Sequence, residues 1–154
     1  MNRYYVGVDL HKETAWFYIL DASGNKVLST NVSAQKKPLK HFFQTIPQPC
    51  LVAVEATYNW YYFVDLAEQF AECVYLANSY ELKAFAKRNK KTDKIDAKLI
   101  ATVLRSGYLP YVVIPPKHIR QMREFLRYRM KLVSDRSRNI FRLKALLDKL
   151  GTIS

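Results

Sequence analysis

The sequence predicts an α/β fold, a mixed β-sheet with helices on both faces followed by a long basic C-terminal helix. Three observations predict it. Residues 4–32 read as three strands joined by turn residues, residues 33–105 alternate helix-like and strand-like stretches, and residues 117–150 hold neither Gly nor Pro. A hairpin meander followed by helix–strand alternation builds one sheet whose two faces both need covering.

Tyr4-Tyr5-Val6-Gly7-Val8-Asp9 reads as a buried strand that ends in an acid, and Thr14 to Leu20 reads as a second strand. Asp21-Ala22-Ser23-Gly24-Asn25 is turn chemistry, with Gly24 free to take φ > 0. Lys26 to Val32 returns as a third strand. A helix-like stretch begins at Ser33, where Leu39, Phe42, Phe43 and Ile46 lie at helical spacing, and Pro47 and Pro49 end it. Leu51-Val52-Ala53-Val54 is a short all-apolar strand of the kind covered on both faces, and Glu55 follows at its end. Asn59 to Phe70 reads as a helix with Phe63, Leu66 and Phe70 on one face. Glu72 to Leu76 is a further strand, and Ser79 to Ala86 a short helix. Asp93 to Arg105 is a helix stopped near Gly107 and Pro110.

The last segment has a different character. Pro115-Pro116 breaks the chain, and Gly151 is the next stop signal. Positions 119, 122, 126, 129, 133, 136, 140, 143, 147 and 150 step by alternating three and four, and all but Arg129 and Arg136 are apolar, which makes a heptad seam. A helix of about 34 residues is roughly 50 Å long, too long to pack on so small a domain. It is expected to project as an arm and to pair with a second copy, with chain beyond Ser154, or with a helix folded back. The expected division is residues 1–112 as the sheet domain and 113–154 as the arm.

Charge follows the same division. The chain has 154 residues and a net charge of +12. Residues 1–82 hold 6 Lys/Arg against 8 Asp/Glu, and residues 83–154 hold 19 against 5, so the halves are net −2 and net +14. Clustered cations point to a polyanion, and nucleic acid comes first because phosphate neutralisation releases counterions. An anionic membrane surface and a merely solubilising surface are the alternatives. The 49% hydrophobic fraction excludes wholesale disorder, and no stretch approaches a membrane span. Cys50 and Cys73 offer neither a disulfide framework nor Cys-x-x-Cys spacing. With no signal-peptide layout at the start, a reducing cytoplasm is the expected location, with nucleoid association when DNA is bound.

Four acids stand out by context. Asp9 and Glu55 each close a buried strand, and Asp93 and Asp96 lie three apart at the start of a helix, on one face. Strand-end acids that meet helix acids can bind two divalent cations, which activate a nucleophile and stabilise the leaving oxygen in phosphoryl displacement. Hard Mg²⁺, or Mn²⁺ in its place, prefers such oxygen ligands and needs neither Cys nor His. Each acid also has a plainer role open to it. Asp9 could cap backbone groups, Glu55 could pair with a lysine, and Asp93 with Asp96 could form a variant capping box. Around the last two crowd Lys87, Arg88, Lys90, Lys91, Lys94 and Lys98, a basic rim suited to drawing phosphates toward an acidic centre.

Val6-Gly7-Val8-Asp9-Leu10-His11-Lys12, Val54-Glu55-Ala56-Thr57 and Lys91-Thr92-Asp93-Lys94-Ile95-Asp96-Ala97 occur in this order. In residues and spacing they resemble the DEDD transposases of bacterial insertion sequences, relatives of the Piv/MooV DNA invertases. The resemblance covers Tyr4 to about Leu150, and its most specific part is Lys-Thr-Asp-x-x-Asp-Ala. It implies a RuvC-like domain of RNase H-like fold with Asp9, Glu55, Asp93 and Asp96 as the Mg²⁺-binding tetrad. It also implies DNA strand cleavage and exchange guided by a structured RNA. Family members continue into a second domain bearing a nucleophilic serine. This chain stops at Ser154, which is not assigned that role, so the chain is expected to be the front part of a larger recombinase.

The remaining features are read beside that resemblance. Lys12, Lys87, Arg88, Lys90, Lys91 and Lys94 are expected phosphate contacts, as are Arg120, Arg123, Arg127, Arg138 and Arg142 on the arm, where guanidinium forks suit phosphate oxygens. Tyr58, Trp60, Tyr61, Tyr62 and Phe63 either pack a helix on the sheet or stack on bases, with Trp60 or Tyr61 the expected exposed ring. His11 is expected as a surface histidine. Two other functions stay open. One is a stand-alone RuvC-like nuclease using the same acids with water. The other is a non-catalytic nucleic-acid-binding and dimerisation module in which the acids are structural. An actin-like kinase is disfavoured because the chain has only four glycines for phosphate loops.

Overall fold

A computed structural model of the chain describes residues 3–85 and 93–152, and for residues 93–95 the backbone alone. The chain divides into two compact units, residues 1–114 and 115–154. The first holds β1 (Tyr4–Leu10), β2 (Thr14–Leu20), β3 (Lys26–Ser33), α1 (Lys36–Thr45), β4 (Cys50–Glu55), α2 (Trp60–Ala67), β5 (Cys73–Ala77), α3 (Ser79–Leu82), α4 (Asp93–Ser106) and β6 (Tyr111–Val112). The second is α5 (Lys117–Lys149).

The six strands form one sheet in the order β3-β2-β1-β4-β5-β6. The meander β1-β2-β3 is antiparallel, β4 joins β1 in parallel, β5 joins β4 in parallel, and β6 closes the edge antiparallel to β5. This mixed sheet with helices on both faces is consistent with an RNase H-like fold. The sequence pattern does not predict β6. Two residues between Pro110 and Ile114 are too few for any periodicity, and they pair only because Ala77 and Leu76 offer an edge. The first helix starts at Lys36 instead of Ser33, because Ser33 still pairs with Thr14 at the end of β3. The second stops at Ala67, where Gln69 and Phe70 donate to carbonyls three residues back and tighten the chain into a turn.

Strand alternation sorts the side chains. Val6, Val8 and Leu10 of β1, Ala15, Phe17 and Ile19 of β2, and Cys50, Val52 and Val54 of β4 join α1 and α2 in the larger core. Its centre is a ring cluster in which Phe17 meets Phe43 edge-on at 5.8 Å and Phe43 meets Phe63 at 5.6 Å. The opposite face carries small residues. Ala53 and Ala77 pack with Ile100, Val103 and Leu104 of α4, while Ala97 and Ala101 sit with Tyr18 and Leu20 of β2.

Gly7 is the closest point of that contact. A Cβ there would run into the Ala97 carbonyl oxygen and the Ala101 backbone nitrogen, and would lie 2.9 Å from the Ala101 methyl. Two of the three obstacles are backbone, so no rotamer change relieves them. The far end of α4 is tied down as well. Arg105 donates to the Ala22 carbonyl at 3.3 Å, with its guanidinium 3.0 Å from where a Cβ of Gly24 would stand. Gly24 has φ +89, and the turn it serves is closed by Asp21, whose carboxylate accepts from the Asn25 backbone at 2.8 Å. Those hydrogen bonds hold the Asp21 carboxyl below its ordinary pKa.

Gly7→Ala is therefore expected to lower stability by about 3 kcal/mol, as overpacking against unyielding atoms does, read from the urea midpoint at unchanged m-value. Gly107→Ala is the comparison, since nothing lies within 4 Å of its added methyl and only its φ of +78 resists. That variant is expected to lose about 1 kcal/mol. Equal losses at the two positions would contradict the close-contact account.

Candidate functional site

The site grows from two parallel strand ends. Val8 pairs with Val54, so the next residues, Asp9 and Glu55, end neighbouring strands about 4.8 Å apart. Both belong to the face that carries Gly7 and Ala53, the face covered by α4. Asp9 is 4% exposed and Glu55 half-buried. An ionised carboxylate so deep needs a partner. His11 supplies one, its Nε2 standing 3.0 Å from Asp9 Oδ2 as the donor to an ionised acid. The histidine itself is held from two sides. Its backbone N–H donates to the Thr14 carbonyl at 2.8 Å, and its carbonyl accepts from the Asn59 amide at 3.0 Å. Thr57 in turn donates to Asn59 at 2.9 Å, which ties the loop after β4 to the turn after β1. His11 thus lies at the surface as expected but faces the site, a role that its position two residues beyond a strand-end acid can signal.

The third acid arrives on α4. Asp96 is half-buried, and it shares with Glu55 a cavity of about 40 Å³ lined also by Ser79, Leu82, Lys83, Leu99 and Ile100. That is room for about three water-sized groups, or for an ion that keeps some of its water. Asp93 is the first residue of α4. Its carboxylate lies outside the described atoms. The arrangement therefore brings Asp9 next to Glu55 by strand pairing and Glu55 next to Asp96 by a common cavity. Among the described residues no three His, Cys, Asp or Glu side chains close into a metal-binding group. The donor chemistry still suits a hard divalent cation, being carboxylate oxygen beside solvent-sized space.

The expected phosphate contacts are placed unevenly. Lys12 is exposed in the turn beside His11. Lys87, Arg88, Lys90 and Lys91 lie outside the described residues, as does the side chain of Lys94. On the arm Arg123, Arg127, Arg138 and Arg142 are exposed, while Arg120 is 5% exposed. Arg127 pairs with Glu124 at 2.7 Å and Arg138 with Asp135 at 3.4 Å, exposed i,i+3 pairs that a competing phosphate can displace at small cost. Along the proposed seam Met122, Leu126, Val133, Ile140 and Leu143 are all exposed on α5, and so are Phe125, Met130 and Phe141 outside it.

The aromatic cluster after Glu55 is sorted differently from expectation. Phe63 is fully buried, Tyr62 donates its hydroxyl to the Ala34 carbonyl at 2.9 Å, and Trp60 and Tyr61 are half-buried in edge-to-face contact at 4.4 Å. Burial pushes the Tyr62 phenol above its ordinary pKa. The most exposed ring of the cluster is Tyr58, at 79%, in place of Trp60 or Tyr61. The reason is the helix boundary: α2 starts at Trp60, so Tyr58 stays in the preceding turn and gains no packed face.

Comparison with known proteins identifies the family. The sequence pattern of the IS110-type DEDD family, described as transposase, matches residues 6–151. A "Probable family 20 transposase" of Pseudomonas aeruginosa is 25% identical over 154 residues, covering 100% of this chain and 44% of that protein. A "Transposase for insertion sequence element IS1328" of Yersinia enterocolitica is 27% identical over 146 residues, covering 95% of this chain and 42% of that protein. The chain thus spans less than half the length of either relative. The family pattern runs from β1 through the end of α5, across both strand-end acids and α4, and the chain belongs to the IS110-type DEDD transposase family of insertion sequences.

Proposed function

We propose that this chain is the metal-binding catalytic part of a DNA transposase, with Asp9, Glu55, Asp93 and Asp96 as the ligand set for Mg²⁺ or Mn²⁺. The observation that carries the reading is the meeting of Glu55 and Asp96 in one cavity, beside the strand end that bears Asp9. When bound, such ions activate the attacking oxygen and stabilise the leaving one in displacement at a phosphodiester. The protein's own task is positioning. His11 fixes the Asp9 carboxylate in one orientation, and the Asn59 and Thr57 contacts fix His11. The contact of α4 with Gly7 sets the depth at which Asp96 enters. Lys12, exposed in the turn beside His11, draws DNA phosphates toward this acidic centre.

In this reading the arm serves partners. Its exposed apolar residues pair with a second copy as a coiled coil, and its arginines hold the phosphates of DNA and of a structured RNA guide. Strand exchange belongs to the assembled, longer protein.

Metal binding tests the carboxylates directly. Mn²⁺ titration followed by electron paramagnetic resonance is expected to show at least about tenfold weaker binding for Asp9→Asn and for Glu55→Gln. Saturating Mg²⁺, at a hundred times its dissociation constant, is expected to stabilise the parent chain by about 2.7 kcal/mol and either variant by about 1.4 kcal/mol or less. Unaltered Mn²⁺ affinity in both variants would remove the catalytic reading.

The arm is tested by salt. The affinity for duplex DNA is expected to fall linearly on a log–log plot against salt, and Arg142→Ala to reduce the slope by about 0.9. A flat salt response would contradict phosphate binding by the basic half.

A further inference from the structure

The cavity shared by Glu55 and Asp96 has one cationic residue among the described residues that line it, Lys83. We propose that Lys83 is a substrate-binding residue that seats a DNA phosphodiester over the carboxylate cavity, an assignment that rests on the metal-binding reading above. It is separate from the basic stretch that follows at 87–94, and three features carry it.

The first is rigid placement. The short helix α3 is fixed at its start by Asn78, whose side chain accepts from the Tyr80 backbone at 3.1 Å and donates to Glu81 at 2.6 Å. The Asn78 backbone N–H donates to the Pro110 carbonyl at 2.9 Å, tying α3 to the chain that leads into β6. At the other end Leu82 is buried with Ala53, Ala77 and Ile100. Lys83 follows in helical conformation, with φ −59 and ψ −27, so its backbone is held beside the cavity.

The second is the lack of another task. The Lys83 side chain is exposed, and among the described residues it forms no ion pair. Core packing does not explain the residue, since Leu82 already provides the buried anchor of α3.

The third is electrostatic. A phosphodiester approaching Asp9, Glu55 and Asp96 meets like charge unless cations intervene. A metal held by these carboxylates would supply part of that compensation. A lysine at the wall supplies a mobile point charge with three donors, able to follow a phosphate oxygen as the strand shifts. Ser79, lining the same cavity, adds a hydroxyl donor from the first turn of α3.

A double-mutant cycle separates this role from that of a general surface cation. Affinity for a duplex oligonucleotide is measured in Mg²⁺ for the parent chain, Lys83→Ala, Glu55→Gln and the double variant. Lys83→Ala is expected to weaken binding about tenfold, as loss of a charge-assisted hydrogen bond does. In the Glu55→Gln background the same change is expected to cost less than about twofold, because the phosphate no longer sits over the cavity. Lys83→Arg is expected to retain most of the affinity, and the urea midpoint of Lys83→Ala to match the parent. Equal losses in the two backgrounds, or no loss in either, would overturn the assignment. Mn²⁺ titration of Glu55→Gln alone identifies the other failure: unchanged metal affinity there would bring down the metal-binding reading, and the Lys83 assignment with it.

Discussion

The contact between α4 and Gly7 is the constraint on which the site depends. The backbone of Ala97 and Ala101 lies where a side chain of residue 7 would be. Ala53 and Ala77 keep the neighbouring strands equally low, so the helix sinks onto the sheet. Depth is the point of this arrangement. Asp96 stands one position before Ala97 on the docked helix, and Asp9 stands two residues beyond Gly7 on the docked strand. A helix held off by larger side chains would carry Asp96 away from Glu55 and open the cavity they share. Arg105, reaching the turn at Ala22, holds the other end of the same helix, so α4 cannot easily tilt.

Charge is organised around this geometry. The net −2 part supplies most of the sheet and two strand-end acids, and the net +14 part supplies α4 and the arm. Asp9 is buried, and the His11 imidazole stands 3.0 Å from its carboxylate. Lys83 and Lys12 are exposed, each on a short segment fixed by backbone hydrogen bonds. In the proposed reading, an acidic floor with cationic edges would favour a phosphate backbone that meets metal in the middle and lysine at the side.

Much of the fold was legible in the sequence. Thr14 to Leu20 showed its strand through dense β-formers between turn signals, and residues 117–149 showed their helix through an unbroken heptad spacing. The acids were legible by position: Asp9 and Glu55 each close an apolar strand, and Asp93 and Asp96 share a face at the start of a helix. The three short motifs around them identified the family. The α4 interface was not legible. Gly7, Ala53, Ala77, Ala97 and Ala101 are small residues scattered over the chain, and only pairing of β1 with β4 and β4 with β5 brings them together. Strand β6 left no periodic trace, and Tyr58 is exposed because it lies in the turn before α2 and gains no packed face. Lys83 carries no signal in the sequence, because Asp96, which lines the same cavity, stands thirteen residues further along the chain.

The central claim is that four carboxylates from two strand ends and one helix start share a metal site. The most direct measurement is anomalous scattering from Mn²⁺ in crystals of this chain. The account predicts a peak within roughly 2.5 Å of carboxylate oxygens from Asp9, Glu55 and at least one of Asp93 and Asp96. A peak bound elsewhere on the molecule, with Asp9 still held by His11 and both helix acids turned to solvent, would contradict it.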